Sequence, residues 1–404
     1  TGCQLIPEWG DIVVDYVNEI DDELEIEQIS DEEAYPFITW VGEEVDEAYY
    51  KAVMGIEINP GLDKSDFKIV YSPQHGADNI PVRTCLKRLG YDIVPVLAQC
   101  APDPDYTNTK SPNPEVDASY ELAIKLAKEV DADVVAITDP DGDRLGVVAK
   151  HNGEYVLMSG NQSAAVYLEY ILSQRKEKGT LPDNAVMYNT IVTSDLGELV
   201  ARNYGVDVEK TLTGFKFIGD KIRKYEKTHE KQFIFGYEES YGCVVEDFVR
   251  DKDAVQAVLL AAECGNYYKK QGKDLIDVLN ELYAKYGTFK ESQIALAKAG
   301  AAGAARIKEM MDTLRKDKPT EIGGVKVVLS EDYATSERSD GTTIDLPKSN
   351  VLKYYLEDGS WIAARPSGTE PKCKFYFSIK GTDAKDAADK TEVFHKAMME
   401  LIGE

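Results

Sequence analysis

The sequence lacks the long apolar run that a membrane-spanning helix requires. Its longest apolar candidate, Ala254–Ala262, is far shorter than the roughly 20 residues that cross a bilayer. The first residues, Thr1 to Leu5, contain neither the basic region nor the apolar region of a signal peptide. We therefore expect no membrane partner. The first residues also lack an initiator Met, which suggests a processed, truncated or partly recorded chain.

Cysteine and histidine are scarce and dispersed. The six cysteines include no Cys-x-x-Cys pair, and the four histidines form no cluster. Zinc sites and redox motifs need closer spacing, and disulfide frameworks belong mainly to small secreted chains. The pattern is typical of reduced, mostly buried thiols, so we expect a cytoplasmic protein.

Positive charge is also in short supply. The chain has 46 Lys and Arg against 72 Asp and Glu, a formal net charge of −26. Nucleic acids and anionic membranes bind basic surfaces, so this balance argues against both as partners. An anionic substrate would need a locally positive pocket. Any cluster of Arg, Lys and glycine-rich backbone is therefore informative here.

The chain does contain a regular alternation of short β-branched runs and helical patterns, beginning near Phe67. This alternation predicts an α/β fold of consecutive α/β domains, with mixed sheets between helices. A length of 404 residues predicts two to four domains. After Ser292 the pattern changes to an Ala-rich helix through Leu314, then strands and a last helix, Ala384–Ile402. That change predicts a smaller C-terminal α+β domain.

The strongest motif is the loop Asp139–Arg144, which follows the apolar strand pattern Asp133–Thr138. Its carboxylates would repel one another in a tight turn unless a cation neutralised them. Hard oxygen ligands of this kind select Mg²⁺, Ca²⁺ or Mn²⁺. The predicted metal ligands are Asp139, Asp141 and Asp143.

This loop has two other interpretations. A calcium EF-hand needs Gly at the sixth position and Glu at the twelfth, where this chain has Arg144 and Lys150. An acidic surface turn would leave the preceding buried-looking strand unexplained. Arg144 adds a fixed positive charge that could hold a phosphoryl oxygen.

A second motif, Arg365–Lys372, reads Arg-Pro-Ser-Gly-Thr-Glu-Pro-Lys. It offers a guanidinium, two hydroxyls and backbone N–H groups near a glycine, which suits a phosphate dianion. An ordinary turn between strands is the alternative interpretation.

Further candidate loops follow other predicted strands. Gly236–Gly242 places carboxylates and a hydroxyl between glycines, which suits hydrogen bonding to sugar hydroxyls, although a solvated acidic turn remains an alternative. Arg250–Asp253 opens a helix with an unusual Lys at its N-terminus. Thr211–Lys216 could present backbone amides and a Lys to an anion, or simply cap a helix through Thr213. Ligands bind outside the carboxyl ends of strands in open α/β sheets, so these loops are more informative together.

Together these motifs resemble the α-D-phosphohexomutase superfamily, and most closely its bacterial phosphoglucomutases. Asp139–Arg144 is similar to the family's metal loop, Gly236–Gly242 to its sugar loop, and Arg365–Lys372 to its C-terminal phosphate loop. Thr211–Gly219 and Arg250–Asp253 also resemble family segments. The resemblance implies Mg²⁺-dependent interconversion of glucose 1-phosphate and glucose 6-phosphate through a phosphoserine and glucose 1,6-bisphosphate, which is also a candidate activator.

The resemblance implies a role for each matching residue. Asp139, Asp141 and Asp143 would bind Mg²⁺, and Arg144 would lie beside the transferring phosphoryl group. Lys252 and Lys216 are the remaining catalytic candidates. The implied substrate-binding residues are Thr213, Gly214, Glu238, Ser240, Arg365, Ser367, Gly368 and Thr369.

One family feature is missing. The family's phosphoserine lies in a Thr-x-Ser-His-Asn-Pro segment, which this sequence does not contain. We therefore interpret residues 1–50 as a remnant of the first domain, and expect the chain alone to be inactive. The other predicted domains are 51–159 with the metal loop, 160–288 with the sugar loop, and 289–404 with the phosphate loop.

Alternatives remain for the substrate and for catalysis itself. Other members of the superfamily act on mannose, glucosamine or pentose phosphates. The Glu238–Ser240 segment favours glucose over mannose, but a pentose phosphate is harder to exclude, which leaves phosphomannomutase or phosphopentomutase activity open. The missing serine segment supports a non-catalytic protein that binds phosphosugars. The sequence does not indicate an oligomeric state.

Overall fold

A computed structural model describes residues 2–368 and 370–404 of the chain. It divides into two compact units, one formed by residues up to Gly160 together with Tyr170–Tyr188 and Gly214–Leu275. The other comprises Asn161–Glu169, Asn189–Thr213 and Ile276–Glu404. Among the described residues, no helix combines the length and the apolar character needed to span a bilayer.

The first part of the chain forms the α/β layers that carry the Asp139 loop. Its helices are α1 (Pro7–Asn18), α2 (Asp31–Ala34), α3 (Glu43–Met54), α4 (Asn79–Leu89) and α5 (Glu121–Val130). Its strands are β1 (Lys68–Ser72), β2 (Asp92–Pro95), β3 (Val134–Thr138), β4 (Leu145–His151) and β5 (Glu154–Met158). Short 3₁₀ turns lie at Glu23–Glu25, Tyr35–Phe37, Leu97–Gln99 and Asp117–Tyr120.

These strands form one mixed sheet in the order β2-β1-β3-β4-β5. β1 runs parallel to β2 and β3, whereas β4 is antiparallel to β3 and β5. Every residue of β3 is buried, as expected for a central strand covered on both faces. β4 and β5 form a hairpin, with His151 opposite Glu154. The sheet places the end of β3, and therefore Asp139, at its carboxyl edge.

The middle of the chain contains a second set of α/β elements. They are α6 (Gly160–Glu177), β6 (Ala185–Thr190), α7 (Leu196–Asn203), β7 (Asp207–Thr211), α8 (Phe215–Thr228), β8 (Gln232–Tyr237), β9 (Cys243–Val244), α9 (Ala254–Lys269) and α10 (Leu275–Tyr286). β8 pairs in parallel with β6 and antiparallel with β9. Phe215, Ile218 and Ile222 of α8 pack on this sheet, and this packing fixes the point at which the loop before α8 ends.

The C-terminal part forms an antiparallel sheet with two helices. Its elements are β10 (Thr288–Ala297), α11 (Gly300–Lys316), β11 (Glu321–Ile322), β12 (Val325–Asp332), β13 (Glu337–Arg338), β14 (Leu352–Leu356), β15 (Trp361–Pro366), β16 (Lys372–Gly381) and α12 (Ala384–Ile402). The strand order is β10-β16-β15-β14-β12-β11, with β13 paired to β12. Met310, Phe375 and Phe394 belong to the core between the helices and the sheet.

One sequence prediction is wrong in this region. The Ala-rich helix does not begin after Ser292, because the chain continues as β10 through Ala297 and α11 starts only at Gly300. β10 pairs with β16 from Thr288 opposite Gly381 to Ala297 opposite Lys372. Long-range pairing along the whole strand therefore overrides the local helix propensity of its alanines.

Candidate active site at the Asp139 loop

The Asp139 loop turns sharply at the end of β3. Asp139 Oδ1 accepts hydrogen bonds from the backbone N–H groups of Asp143, at 3.0 Å, and Arg144, at 2.9 Å. Gly142 has φ +74°, a left-handed conformation that glycine adopts without strain. The turn therefore brings the three aspartate side chains to one side of the strand end.

These side chains form a cluster of hard oxygen donors. Asp139, Asp141 and Asp143 each place a carboxylate oxygen within 4.8 Å of the others. Burial, together with repulsion from Asp143 and Asp141, raises the pKa of Asp139 to about 7. Asp143 Oδ1 is buried and accepts no hydrogen bond from the described residues. A divalent cation would satisfy this oxygen and neutralise the repulsion, so the residues present fit a metal.

Lys252 is paired with this cluster. Its Nζ lies 2.7 Å from Asp143 Oδ2 and 3.6 Å from Asp251 Oδ1. Burial by itself lowers the pKa of Lys252, but the hydrogen bond and charge of Asp143 outweigh it and raise the pKa overall. A Cβ at Gly242 would lie 2.2 Å from Lys252 Cδ, so this glycine makes room for the lysine stem.

Two further carboxylates lie next to the loop. A Cβ at Gly142 would lie 2.4 Å from Asp78 Oδ1, and burial followed by repulsion from Asp253 raises the pKa of Asp78 to about 7. Asp253 accepts hydrogen bonds from Tyr49 Oη, at 2.9 and 2.8 Å, and from the first amides of α9. Ala254 N–H donates to Gly142 O at 3.0 Å, which ties the start of α9 to the loop.

A cavity of about 520 Å³ opens at this place. Tyr49, Asp78, Gly142, Lys252 and Asp253 contribute to its lining. Its lining therefore includes the loop glycine together with the neighbouring Asp78, Lys252 and Asp253.

The predicted sugar loop is also fixed by hydrogen bonds. Leu145 N–H, at the start of β4, donates to Tyr241 O at 2.9 Å, which attaches this loop to the chain just after Arg144. The buried Glu238 accepts a hydrogen bond from Gly214 N–H at 2.8 Å. Burial raises the pKa of Glu238, while this hydrogen bond lowers it in part. Ser240 follows on the same loop and is half-buried.

The other predicted residues around the start of α8 differ in their surroundings. Lys216 is half-buried, and its Nζ lies 5.4 Å from the centre of the Phe217 ring. Within the described part of the chain Lys216 forms no ion pair. Thr213 belongs to the second unit, whereas Gly214, which has φ +115°, belongs to the first.

The predicted phosphate loop lies in the second unit, as the turn between β15 and β16. Ser367 N–H donates to Lys372 O at 2.7 Å, and Glu370 N–H to Ser367 Oγ at 3.3 Å. Ser367 and Gly368 are exposed and contribute to a cavity of about 910 Å³, whereas Arg365 is half-buried on β15. Thr369 lies outside the described residues.

Family models match most of the chain. Models described as phosphoglucomutase/phosphomannomutase match as alpha/beta/alpha domain II over residues 47–153, as domain III over 159–286 and as the C-terminal domain over 302–395. The chain belongs to the α-D-phosphohexomutase superfamily. The family resemblance and the α/β fold expected from the sequence are both confirmed.

Curated phosphohexomutases similar to the chain include two staphylococcal phosphoglucomutases. The one from Staphylococcus aureus strain MRSA252 is 36% identical over 396 residues, covering 96% of this chain and 70% of the relative. The one from Staphylococcus haemolyticus strain JCSC1435 is 35% identical over 387 residues, covering 94% of this chain and 69% of the relative.

Solved structures of other phosphohexomutases share the fold. Parafusin, a phosphoglucomutase from Paramecium, matches with a TM-score of 0.66 at 19% identity, covering 89% of this chain and 63% of that one. A putative phosphomannomutase from Thermus thermophilus matches with a TM-score of 0.62 at 18% identity, covering 89% of this chain and 66% of that one. The chain thus spans about two thirds of the length of its relatives.

Sequence reasoning missed several neighbours of the Asp139 loop. Tyr49 and Asp78 gave no motif of their own, because their positions depend on distant partners. Glu115, whose Oε1 accepts a hydrogen bond from Arg144 Nη1 at 2.7 Å, gave no motif either. Its position also depends on a partner that is distant in the chain.

Proposed function

We propose that this phosphohexomutase chain belongs to a phosphoglucomutase. Such an enzyme interconverts glucose 1-phosphate and glucose 6-phosphate with Mg²⁺, through a phosphoserine and glucose 1,6-bisphosphate. The observation that carries the proposal is the cluster of Asp139, Asp141 and Asp143 with Lys252 and Arg144 beside it. Metal ligands and cations in one place are what phosphoryl transfer needs, because charge on the moving group must be balanced. Identity of 36% to a staphylococcal phosphoglucomutase supports the choice of substrate.

In this proposal the three aspartates hold Mg²⁺, which supplies positive charge to the phosphoryl oxygens when bound. Arg144 and Lys252 add cationic groups at the same loop, and Lys216 contributes a further cation without an ion-pair partner in the described chain. Mn²⁺ is a useful probe, since it takes the same oxygen ligands.

We assign sugar and phosphate binding to separate loops. Glu238 and Ser240 bind sugar hydroxyls, and the Gly214 N–H, which donates to Glu238, holds that carboxylate in place. Thr213 is assigned to the same substrate-binding segment. The phosphate that does not react is assigned to Arg365, Ser367, Gly368 and Thr369. Binding energy from such remote contacts orients the reacting group.

The 404 residues contain no Thr-x-Ser-His-Asn-Pro segment, so the expected phosphoryl donor is not among them. We therefore expect binding without turnover. The domain limits proposed are 1–50, 51–159, 160–288 and 289–404. A phosphosugar is the proposed partner, and the cytoplasm the proposed location.

Calorimetric titration tests the proposal. With Mg²⁺ present, the chain should bind glucose 1,6-bisphosphate, and it should bind glucose 1-phosphate more tightly than mannose 1-phosphate or ribose 1-phosphate. Tighter binding of the mannose or pentose ester would replace the substrate assignment with phosphomannomutase or phosphopentomutase. In a coupled assay with glucose 1-phosphate and the bisphosphate, appreciable turnover by this chain would refute the expected inactivity.

A non-catalytic phosphosugar-binding protein is the second candidate, and the missing serine segment favours it. The gene upstream of Thr1 separates the two functions. An in-frame Thr-x-Ser-His-Asn-Pro segment there would support the mutase, whereas a start codon directly before Thr1 would support the binding protein.

A further inference from the structure

Arg144 is held by a carboxylate outside the metal loop. Its Nη1 donates to Glu115 Oε1 at 2.7 Å, while its Nε lies 3.4 Å from Asp139 Oδ2 and 3.6 Å from Asp143 Oδ1. Arg144 Nη2 forms no hydrogen bond with any residue that the structure describes. Nη1 is therefore hydrogen-bonded to Glu115 and Nε lies near the carboxylates of the metal loop, whereas the two N–H groups of Nη2 remain for a ligand.

The segment that carries Glu115 is anchored by buried groups. Ser119 Oγ donates to Ser111 O at 2.6 Å and to Asn113 O at 2.7 Å, and Ser119 itself is buried. Glu115 N–H donates to Asn113 Oδ1 at 2.9 Å. These bonds leave the backbone before Glu115 little freedom.

A second anchor connects this segment to β4, which begins directly after Arg144. The buried Tyr120 donates from Oη to Pro114 O at 2.7 Å. A Cβ at Gly146 of β4 would lie 1.9 Å from Tyr120 Oη and 3.0 Å from Pro114 Cβ. Glycine at 146 therefore permits the close approach that sets Glu115 against Arg144.

Glu115 differs from the other carboxylates near Arg144. Asp139 and Asp143 are the proposed metal ligands, so a bound cation would compete with the guanidinium for their oxygens. Glu115 is not part of that cluster. It is therefore the carboxylate that can keep Arg144 in one rotamer whether or not metal is bound.

We propose that Glu115 is a positioning residue, which holds the Arg144 guanidinium with Nη2 directed toward a phosphoryl oxygen. The proposal rests on the proposed function. Glu115 acts through Arg144 and does not itself contact the phosphoryl group, since like charges would repel.

Chemical labelling tests the first half of this proposal without any sugar ligand. Phenylglyoxal modification of Arg144 in the full 404-residue chain, measured by mass spectrometry, should be faster in Glu115→Ala than in the unaltered chain. Glu115→Gln keeps a hydrogen-bond acceptor and should stay close to the unaltered rate. Glu121→Ala is the matched control, because it removes an exposed ion pair with Lys110 nearby. Equal rates in Glu115→Ala and the unaltered chain would overturn the proposal.

A double-mutant cycle tests the second half. Measured by calorimetry with Mg²⁺ present, Glu115→Ala should weaken binding of glucose 1,6-bisphosphate about tenfold, the value of one charge-assisted hydrogen bond. Glu115→Gln should restore most of that affinity. In an Arg144→Ala background, Glu115→Ala should have no further effect.

The remaining outcomes are equally decisive. If Glu115→Ala tightens bisphosphate binding, Glu115 only neutralises Arg144, and the proposal is wrong. If Glu115→Ala weakens Mn²⁺ binding in parallel, its role is to support the metal loop, which also overturns the proposal. If the unaltered chain binds no bisphosphate, the proposed function fails, whereas the labelling rates still decide whether Glu115 holds Arg144.

Discussion

Lys252 Nζ lies 2.7 Å from Asp143 Oδ2, so an ammonium group is paired with one of the three carboxylates that we assign to a metal. The other oxygen of that carboxylate, Oδ1, is buried and has no hydrogen-bond partner among the described residues. The pair leaves the metal cluster incompletely neutralised. A cation that binds there must share Asp143 with Lys252.

Replacement of Lys252 by Met should therefore have opposite effects on metal and on substrate. Loss of the competing ammonium should tighten Mn²⁺ binding by up to about tenfold, because the ammonium and the metal cation repel each other. Two unit charges about 4 Å apart interact by about 1 kcal/mol in water and about 4 kcal/mol near a protein surface. Bisphosphate binding should weaken, since a cation near the phosphoryl group is lost. Electron paramagnetic resonance measures the first effect and calorimetry the second.

Lys150→Met is the control for that experiment, because Lys150 pairs with the exposed Asp131 away from the metal cluster. It should leave both affinities unchanged. If Lys252→Met weakens Mn²⁺ binding instead, Lys252 supports the metal site and does not compete with it.

A methyl group at position 242 should reproduce part of this effect. A Cβ there would lie 2.2 Å from Lys252 Cδ and 3.3 Å from Asp143 O, so Gly242→Ala should displace the lysine stem. We expect tighter Mn²⁺ binding than in the unaltered chain, as for Lys252→Met. In a Lys252→Met background the alanine should change Mn²⁺ affinity little, and a large additional change there would contradict this explanation.

Substitutions at Asp141 and at Asp139 should distinguish an effect on metal binding from an effect on the stability of the fold. Asp141 is exposed, whereas Asp139 is buried and accepts two backbone hydrogen bonds. Asp141→Asn should greatly reduce Mn²⁺ affinity and should not lower the Tm in EDTA, because it removes one of the charges that repel Asp139. Asp139→Ala should instead lower that Tm, because two half-buried backbone N–H groups lose their acceptor, at up to about 1–3 kcal/mol each.

Calorimetric scans of both variants in EDTA, with and without added Mn²⁺, would check this pair of expectations. A lower Tm for Asp141→Asn in EDTA would mean that Asp141 has a structural role. Retained Mn²⁺ affinity in that variant would remove it from the ligand set.

The sequence was informative where local pattern and chemistry coincide. The continuous apolar run of β3 predicted a buried strand, and the aspartates after it predicted a metal loop, because both follow from residues adjacent in the chain. The strand β10 could not be predicted in this way. Its alanines favour a helix, and only pairing with β16 makes it a strand.

Contacts between residues that are distant in the chain could not be predicted from local sequence patterns. Tyr49 and Asp253 are separated by 204 positions in the chain, and Arg144 and Glu115 by 29. Neither pair produces a motif, since each depends on how separate elements pack. Lys353 is another example, because nothing in its local sequence predicts that a lysine on β14 is fully buried.

Burial of Lys353 leads to a prediction about pH. Its Nζ donates to Ile191 O at 2.7 Å and lies 3.8 Å from the centre of the Trp361 ring. Burial, with repulsion from Lys210, lowers the pKa of Lys353 to about 7, although Asp195, Glu198 and Glu331 oppose the shift. In the unfolded chain its pKa would be about 10.4. Between these values the unfolded chain holds the extra proton, so this group makes the free energy of unfolding rise with pH.

The comparison variant is Lys353→Met, which removes the titrating group. The free energy of unfolding of the unaltered chain, relative to this variant, should increase between about pH 7 and pH 9 by up to about 1.4 kcal/mol per pH unit. Below about pH 7 the relative value should be flat, since both states are then protonated. Urea unfolding at several pH values measures it, with the exposed Lys326→Met on β12 as control. A difference that does not change with pH would mean that Lys353 keeps an ordinary pKa despite its burial.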